Sequence, residues 1–230
     1  MLLALDTATR TSSLALYDLE EDRLLAEETW LAHRRQTQDL LPTAQQLLGR
    51  QGLHPDQVTA LAVTTGPGSF TGVRIAISVA KGIALGLESM PRLLGLPTLS
   101  VTAAPWLRVA ITWDPQPVVV AFIQAGRGRY NWTVFSPPDR LHRPTPEEHK
   151  AGLLPDFVHA LEAIQQPLWL VGEEDPALAQ AVRSLPHVTL VDGALAWRRA
   201  GHLAWLAAQH FAAGHQDSLD TLRPLYLNAL

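Results

Sequence analysis

Residues 62–87, AVTTGPGSFTGVRIAISVAKGIALGL, constrain this chain more than any other stretch. A short β-rich run meets a loop built from Gly66, Pro67, Gly68 and Gly72, and an apolar helix follows. Glycine lets a backbone turn sharply and approach another group closely. A helix N-terminus behind such a loop presents N–H groups that suit an anion. The helix carries one stripe of Phe70, Val73, Ile77, Ala80, Ala84 and Leu87 and a second of Ile75, Val79 and Ile83, with Arg74, Ser78 and Lys81 as the polar line between them. A helix that is apolar nearly all round is buried on two sides. One side belongs to its own sheet, and the other needs a second partner.

Composition narrows the class. The chain has 230 residues, of which 47% are hydrophobic and 17% charged, so it is globular and not disordered. The absence of cysteine excludes a disulfide framework, a thiolate nucleophile and a cysteine zinc site. Asp6 interrupts the apolar N-terminus, and no apolar run reaches the roughly 18 residues a membrane span needs. The expectation is a cytoplasmic protein with no membrane partner. A net charge of −4 argues against a surface that attracts nucleic acid everywhere.

The element order reads as strands at 2–6, 12–18 and 24–31, a helix at 36–50, a strand at 58–64, the helix at 70–87, a strand at 92–96 and a helix at 98–106. That is βββαβαβα, an α/β pattern matching a ribonuclease H-like half. Pro105, Pro115 and Pro117 set the boundary, giving an N-terminal half over 1–106 and a C-terminal half over 107–230. The second half shows a hairpin of 118–124 and 130–135 with Gly126 and Gly128 near its tip, strands at 168–172 and 188–192, and helices at 155–164, 175–184 and 196–213. Two such halves, the second reduced, predict the actin-like ATPase (ASKHA) fold.

Several chemistries can be weighed. The loop 66–72 fails the Walker A pattern, because Val73 stands where Lys-Ser/Thr would follow a glycine. Asp6 and Thr7, after the first strand, could hold a magnesium phosphate together with Gly66, Pro67, Gly68, Ser69 and Gly72. The competing reading makes the same residues a strand–helix connection. A ribonuclease H-type nuclease needs several carboxylates on paired metals. Asp6 is placed for that, but the fourth strand ends Thr64-Thr65-Gly66. Ser69 is not in a G-x-S-x-G elbow. The nine histidines show neither HExxH nor an i,i+4 pair. His202 and His210 read as structural. Arg127, Arg129, Tyr130 and Trp132 read as a hairpin with outward arginines and inward aromatics.

Four motifs together resemble the bacterial TsaB (YeaZ) family: Asp6-Thr7-Ala8-Thr9, Gln38-Asp39-Leu40-Leu41-Pro42, Gly66-Pro67-Gly68-Ser69-Phe70-Thr71-Gly72-Val73-Arg74, and Pro224-Leu225-Tyr226-Leu227. The resemblance implies an accessory subunit, not an enzyme, in the transfer of threonylcarbamoyl to the adenosine beside the tRNA anticodon. It implies TsaD as catalytic partner, TsaE as ATPase partner, a homodimer when TsaD is absent, and tRNA met indirectly through the complex, with direct contact of this chain with tRNA left open. By order along the chain, the metal-binding His pair of TsaD falls at Thr98 and Thr102, whose hydroxyls cannot replace two imidazoles as ligands. The expectation is therefore no catalytic residue, no metal and no cofactor in the isolated chain, with a nucleotide at the partner interface left open. Asp6, Thr7 and the 66–72 loop become a vestigial or shared nucleotide-proximal loop. Gln36, Leu40, Ala44, Leu47, Phe70, Val73, Ile77, Ala80 and Ala84 become the partner interface. An independent ATPase or phosphotransferase on Asp6, Thr7 and the loop is the alternative, and a metallopeptidase is disfavoured.

Overall fold

The computed structural model describes residues 1–33, 35–126, 128–139, 141–173 and 175–227. In chain order the elements are β1 (Leu2–Asp6), β2 (Thr11–Asp18), β3 (Arg23–Leu31), α1 (Gln36–Arg50), β4 (Ala60–Thr64), α2 (Phe70–Gly86), β5 (Arg92–Leu96) and α3 (Thr98–Ala110). They continue with β6 (Val118–Ala125), β7 (Arg129–Phe135), β8 (Lys150–Leu153), α4 (Leu154–Glu162), β9 (Leu168–Gly172), α5 (Pro176–Ala181), β10 (Val188–Leu190) and α6 (Ala200–Ala212). Short 3-10 turns at Pro55–Gln57, Pro146–Glu148 and Val182–Ser184 join some of them.

Two compact units result among the described residues: 1–98 with 199–226, and 99–198 with 227. The expected boundary at 106/107 does not coincide with them. Helix α3 follows β5 in the chain but belongs to the second unit, and α6 follows the second sheet but belongs to the first. Proline spacing could not show this, because it is decided by which sheet each apolar helix face covers.

In the first unit the strand order is β3-β2-β1-β4-β5, with β1–β2 and β2–β3 antiparallel and β1–β4 and β4–β5 parallel. Alternation along the strands sorts the side chains by size. Leu3, Leu5, Leu14, Leu16, Leu61 and Val63 form a core with Leu40, Ala44 and Leu47 of α1 and Val73, Ala76, Ile77, Ala80 and Ala84 of α2. The opposite face carries Ala4, Ala15, Ala60 and Ala62, all buried, and takes the alanine-rich α6. No side chain of α6 caps its own start. Instead Ser13 Oγ accepts from Ala200 N at 2.8 Å and Glu27 Oε2 accepts from Gly201 N at 2.7 Å. Sheet side chains thereby supply the acceptors that helix N-termini lack.

The second unit repeats the plan. Its order, β10-β9-β6-β7-β8, is the first sheet's order read from the other edge, with matching parallel and antiparallel pairs. One face packs Val120, Phe122, Tyr130, Trp132 and Leu170 against Phe157 and Leu161 of α4 and Leu178 of α5. The other packs Val119, Ala121 and Ile123 against Leu99, Ala103, Leu107 and Ala110 of α3. The expected reduction is one of length. Strand β8 has 4 residues and β10 has 3, while α4 and α5 have 9 and 6 against 15 and 17 in α1 and α2. Strand β8 has no counterpart among the elements expected from sequence, since KAGL lacks both alternation and β-branched residues.

Candidate functional site: the glycine loop and the outer face of the second helix

The loop 66–72 closes on the β1–β2 turn. Ser69 N donates to Ala8 O at 2.6 Å, and Thr7 Oγ1 donates to Gly72 O at 2.6 Å. A Cβ on Gly68 would stand 2.3 Å from Ala8 O, and one on Gly72 would stand 2.0 Å from Thr7 O. Backbone carbonyls therefore occupy the space that any side chain at these two positions would need. Gly66 has φ +105°, a region that favours glycine, and the Gly66–Pro67 bond is cis. Its carbonyl accepts from Thr98 N at 2.8 Å. Ser69 caps α2 by accepting from Gly72 N at 3.1 Å.

Asp6 lies beneath this turn and is 1% exposed. Its Oδ1 accepts from Thr64 Oγ1 at 2.7 Å and from Ala8 N at 2.9 Å. Thr7 is fully buried, as are Gly66 and Pro67, while Gly68 and Ser69 are exposed. The structure thus brings the whole proposed loop together, chiefly by backbone contacts between the two turns. Thr98 and Thr102 are both buried in α3. Among the described residues, no group of three or more His, Cys, Asp or Glu is placed to hold a metal ion.

The partner-interface residues divide differently from expectation. Leu40, Ala44, Leu47, Val73, Ile77, Ala80 and Ala84 are all spent in the first unit's own core and are not available at the surface. Gln36 is half-buried, and Phe70 is 60% exposed. Helical spacing defines the two stripes of α2 but cannot say which one meets the sheet. The richer one does, and the leaner one faces out. Ile75, Val79 and Ile83 are half-buried along the margin of that core, beside exposed Ser78, Gly82, Leu85 and Gly86. Leu85 is 69% exposed, and nothing lies within 4 Å of a Cβ on Gly82 or Gly86. Helix α1 adds exposed Leu41.

The C-terminal segment builds one feature that sequence reasoning missed. Asp217 N donates to Leu93 O at 2.7 Å and Asp217 Oδ2 accepts from Gly95 N at 2.8 Å, which pins this segment along β5. Leu222 enters the core, and Leu225 N donates to Thr65 O at 2.8 Å. Tyr226 is thereby brought to Arg74, whose Nε and Nη2 donate to its hydroxyl at 3.2 and 2.8 Å. The motif Pro224-Leu225-Tyr226 was visible in the sequence, but no local pattern links it to a residue 152 positions away.

In the second unit, Asp175 caps α5 through Oδ1, which accepts from Ala177 N and Leu178 N. Its Oδ2 accepts from Tyr130 Oη and Gln124 Nε2. Burial, and then the Asp175 carboxylate, push the Tyr130 phenol up to about 12. Hydrogen bonds from Tyr130, Gln124 and the two backbone amides outweigh burial and hold the Asp175 carboxyl below its usual range. Tyr130 and Trp132 face inward and Arg129 outward, as expected, while Arg127 lies outside the described residues.

Two ribonuclease H-like units of one sheet topology, the first closed by α6 from beyond the second sheet, define a protein of the actin-like ATPase architecture. Comparison with known proteins identifies the branch. The family model for TsaD, tRNA N6-adenosine threonylcarbamoyltransferase, matches residues 30–135. The tRNA threonylcarbamoyladenosine biosynthesis protein TsaB of Escherichia coli strain K12 is 33% identical over 98% of this chain and 94% of its own length. YeaZ from Pseudomonas aeruginosa superposes with a TM-score of 0.69 at 27% identity, covering 98% of this chain and 99% of that one. A further structure, titled as an uncharacterized protein with similarity to peptidase YEAZ from Pseudomonas aeruginosa, gives 0.72 at 26% identity over 99% of both chains. The chain belongs to the TsaB family.

Proposed function

We propose that this protein is a non-catalytic supporting subunit in the synthesis of threonylcarbamoyladenosine on tRNA, acting in the cytoplasm. It docks a TsaD-type catalytic subunit through the outer face of α2 and the neighbouring part of α1, and TsaE joins the same assembly. A second copy takes the face when TsaD is absent. The observation that carries the reading is the apolar outer face of α2 on a chain of this family. Ile75, Val79, Ile83 and Leu85 leave more apolar surface than the first unit can cover, and Gly82 and Gly86 let another helix backbone approach. Helix pairs pack with axes about 8–10 Å apart when small residues lie between large ones. A non-catalytic role is supported by how Asp6 and the glycines are used, since Asp6 is buried on Thr64 and Ala8 and the glycines pack against the Thr7 and Ala8 carbonyls. No helix of the described residues is long and apolar enough to cross a membrane.

The test uses Gly82→Arg. Open space around that position lets the free chain accept the side chain, and Arg is the better helix former by roughly 1 kcal/mol. Co-expression with TsaD, followed by size exclusion and a tRNA modification assay, should show the wild-type chain in a complex and Gly82→Arg outside it. Undiminished co-elution of Gly82→Arg overturns the docking face. Threonylcarbamoyl transfer by the isolated chain, lost in Asp6→Asn, overturns the non-catalytic role. A bound nucleotide is tested on the assembled complex and on the chain alone by equilibrium dialysis.

A further inference from the structure

We infer that Phe70, Arg74 and Tyr226 form a stacking platform for an unpaired base of the RNA substrate, so that this chain touches the tRNA directly. The inference rests on the supporting-subunit reading and adds a second contact to it. The Arg74 guanidinium lies 3.7 Å over the Phe70 ring and 5.7 Å from the Tyr226 ring, and the two rings are 6.3 Å apart. It covers one face of Phe70, and Phe70 as a whole is 60% exposed. Tyr226 is 54% exposed and is fixed by Leu225 N on Thr65 O and by the two bonds from Arg74. The cluster is therefore ordered, aromatic and open.

Three features favour a nucleotide over an apolar protein surface. Among the described residues no carboxylate pairs with Arg74, whose partners are a phenol oxygen and two rings. The first turn of α2 contains no acid, and exposed Arg223 stands three residues before Tyr226 on the same segment. Unpaired bases stack on aromatic rings and guanidinium planes, while arginine holds the adjoining phosphate. Against a net charge of −4 this is a local cationic corner, which suits one or two phosphates and not a whole duplex. The cluster is also distinct from the docking face. At 100° per residue, Phe70 and Arg74 lie about 100° or more around α2 from Ile75, Val79 and Ile83, and at 1.5 Å per residue they stand about 12 Å or more along its axis from Gly82 and Leu85.

The experiment uses the assembled complex with TsaD and a fluorescent anticodon stem–loop RNA bearing the unmodified adenosine. Phe70→Ala and Tyr226→Ala should each weaken RNA binding by about tenfold, within the range measured for one stacked base. Arg74→Ala should weaken it similarly and lower the dependence on salt by about one phosphate contact. All three should co-elute with TsaD as wild type does, whereas Gly82→Arg fails to co-elute. Wild-type RNA affinity in the three variants overturns the platform and leaves the docking face standing. Loss of co-elution in the three variants overturns it too, by assigning the cluster to the protein interface. Full displacement of the RNA from this corner by ATP alone assigns it to a free nucleotide, which also overturns it.

Discussion

The two units share one sheet topology and solve one problem in different ways. Each must lock the loop after its fourth strand onto the hairpin of its first two. The first unit does it chiefly through backbone: Ser69 N on Ala8 O, one hydroxyl, Thr7 Oγ1, on the Gly72 carbonyl, and glycines where no Cβ fits. The second does it with side chains, through Asp175 on Tyr130, Gln124 and the start of α5. Their outer surfaces differ as well. Helices α4 and α5 are short, whereas α2 is long enough to cover its sheet and still present a second apolar face. A fold that needs only one apolar stripe per helix leaves a second stripe free for assembly.

The largest expected effect tests which stripe of α2 is inside. Ala80 is fully buried, so Ala80→Arg places an unpaired guanidinium in the core. That costs several kcal/mol against a net stability of about 5–15 kcal/mol. Circular dichroism should show loss of the folded state, and a folded variant defective only in TsaD binding would reverse the assignment. Next, Gly72→Ala sets a Cβ 2.0 Å from a backbone carbonyl, and Gly172→Ala sets one 2.4 Å from Phe122 O. Each should lose about 3 kcal/mol in urea denaturation. If Gly72→Ala is neutral, the backbone lock of the first unit is wrong.

Acid sharpens the comparison further, because each unit carries a histidine whose pKa is lowered by desolvation, His149 in the second and half-buried His202 in the first. Burial, outweighing the pull of Glu148, lowers His149 to about 4. Burial, and then Arg199, lower His202 to about 4. A depressed histidine pKa means the folded state favours the neutral ring. The contribution is therefore complete above about 6.5 and lost as pH falls from there to about 4. Each should remove about 2–3 kcal/mol over that window. His149→Phe and His202→Phe should flatten the pH dependence of urea midpoints separately, and an unchanged slope in either variant removes that residue from the account.

Tyr130→Phe should cost about 2 kcal/mol, the worth of a bond to a charged acceptor. For this pair the signs are opposite. The lowered Asp175 carboxyl stabilises above the ordinary carboxylate range and loses that effect as pH falls through it. The raised Tyr130 phenol stabilises fully below 10 and loses its effect as pH climbs to about 12. Alkaline titration of tyrosine absorbance should show one phenol titrating late in wild type and none in Tyr130→Phe. The smallest effect on stability is expected for Gly82→Arg, at most about 1 kcal/mol and in the favourable direction. A marked loss there would mean that the outer face of α2 is already covered within the chain.

The sequence by itself determined most strand and helix positions, the βββαβαβα order and the glycine loop. These depend on local periodicity and on turn residues that act within a few positions. It also determined that α2 had more apolar surface than one sheet could use. It could not determine which stripe faced the sheet, because both are apolar and only packing against Leu3, Leu5, Leu61 and Val63 distinguishes them. Nor could it place α3 and α6 in their units, since helix exchange is settled by the size match of distant faces, alanine-rich α6 on Ala4, Ala15, Ala60 and Ala62 above all. Strand β8 escaped notice because its pairing with β7 substitutes for propensity it lacks. The Phe70, Arg74 and Tyr226 cluster needed the tertiary structure outright. Arg74 and Tyr226 are 152 residues apart, and only the pinning of the C-terminal segment along β5 and the end of β4 brings them together.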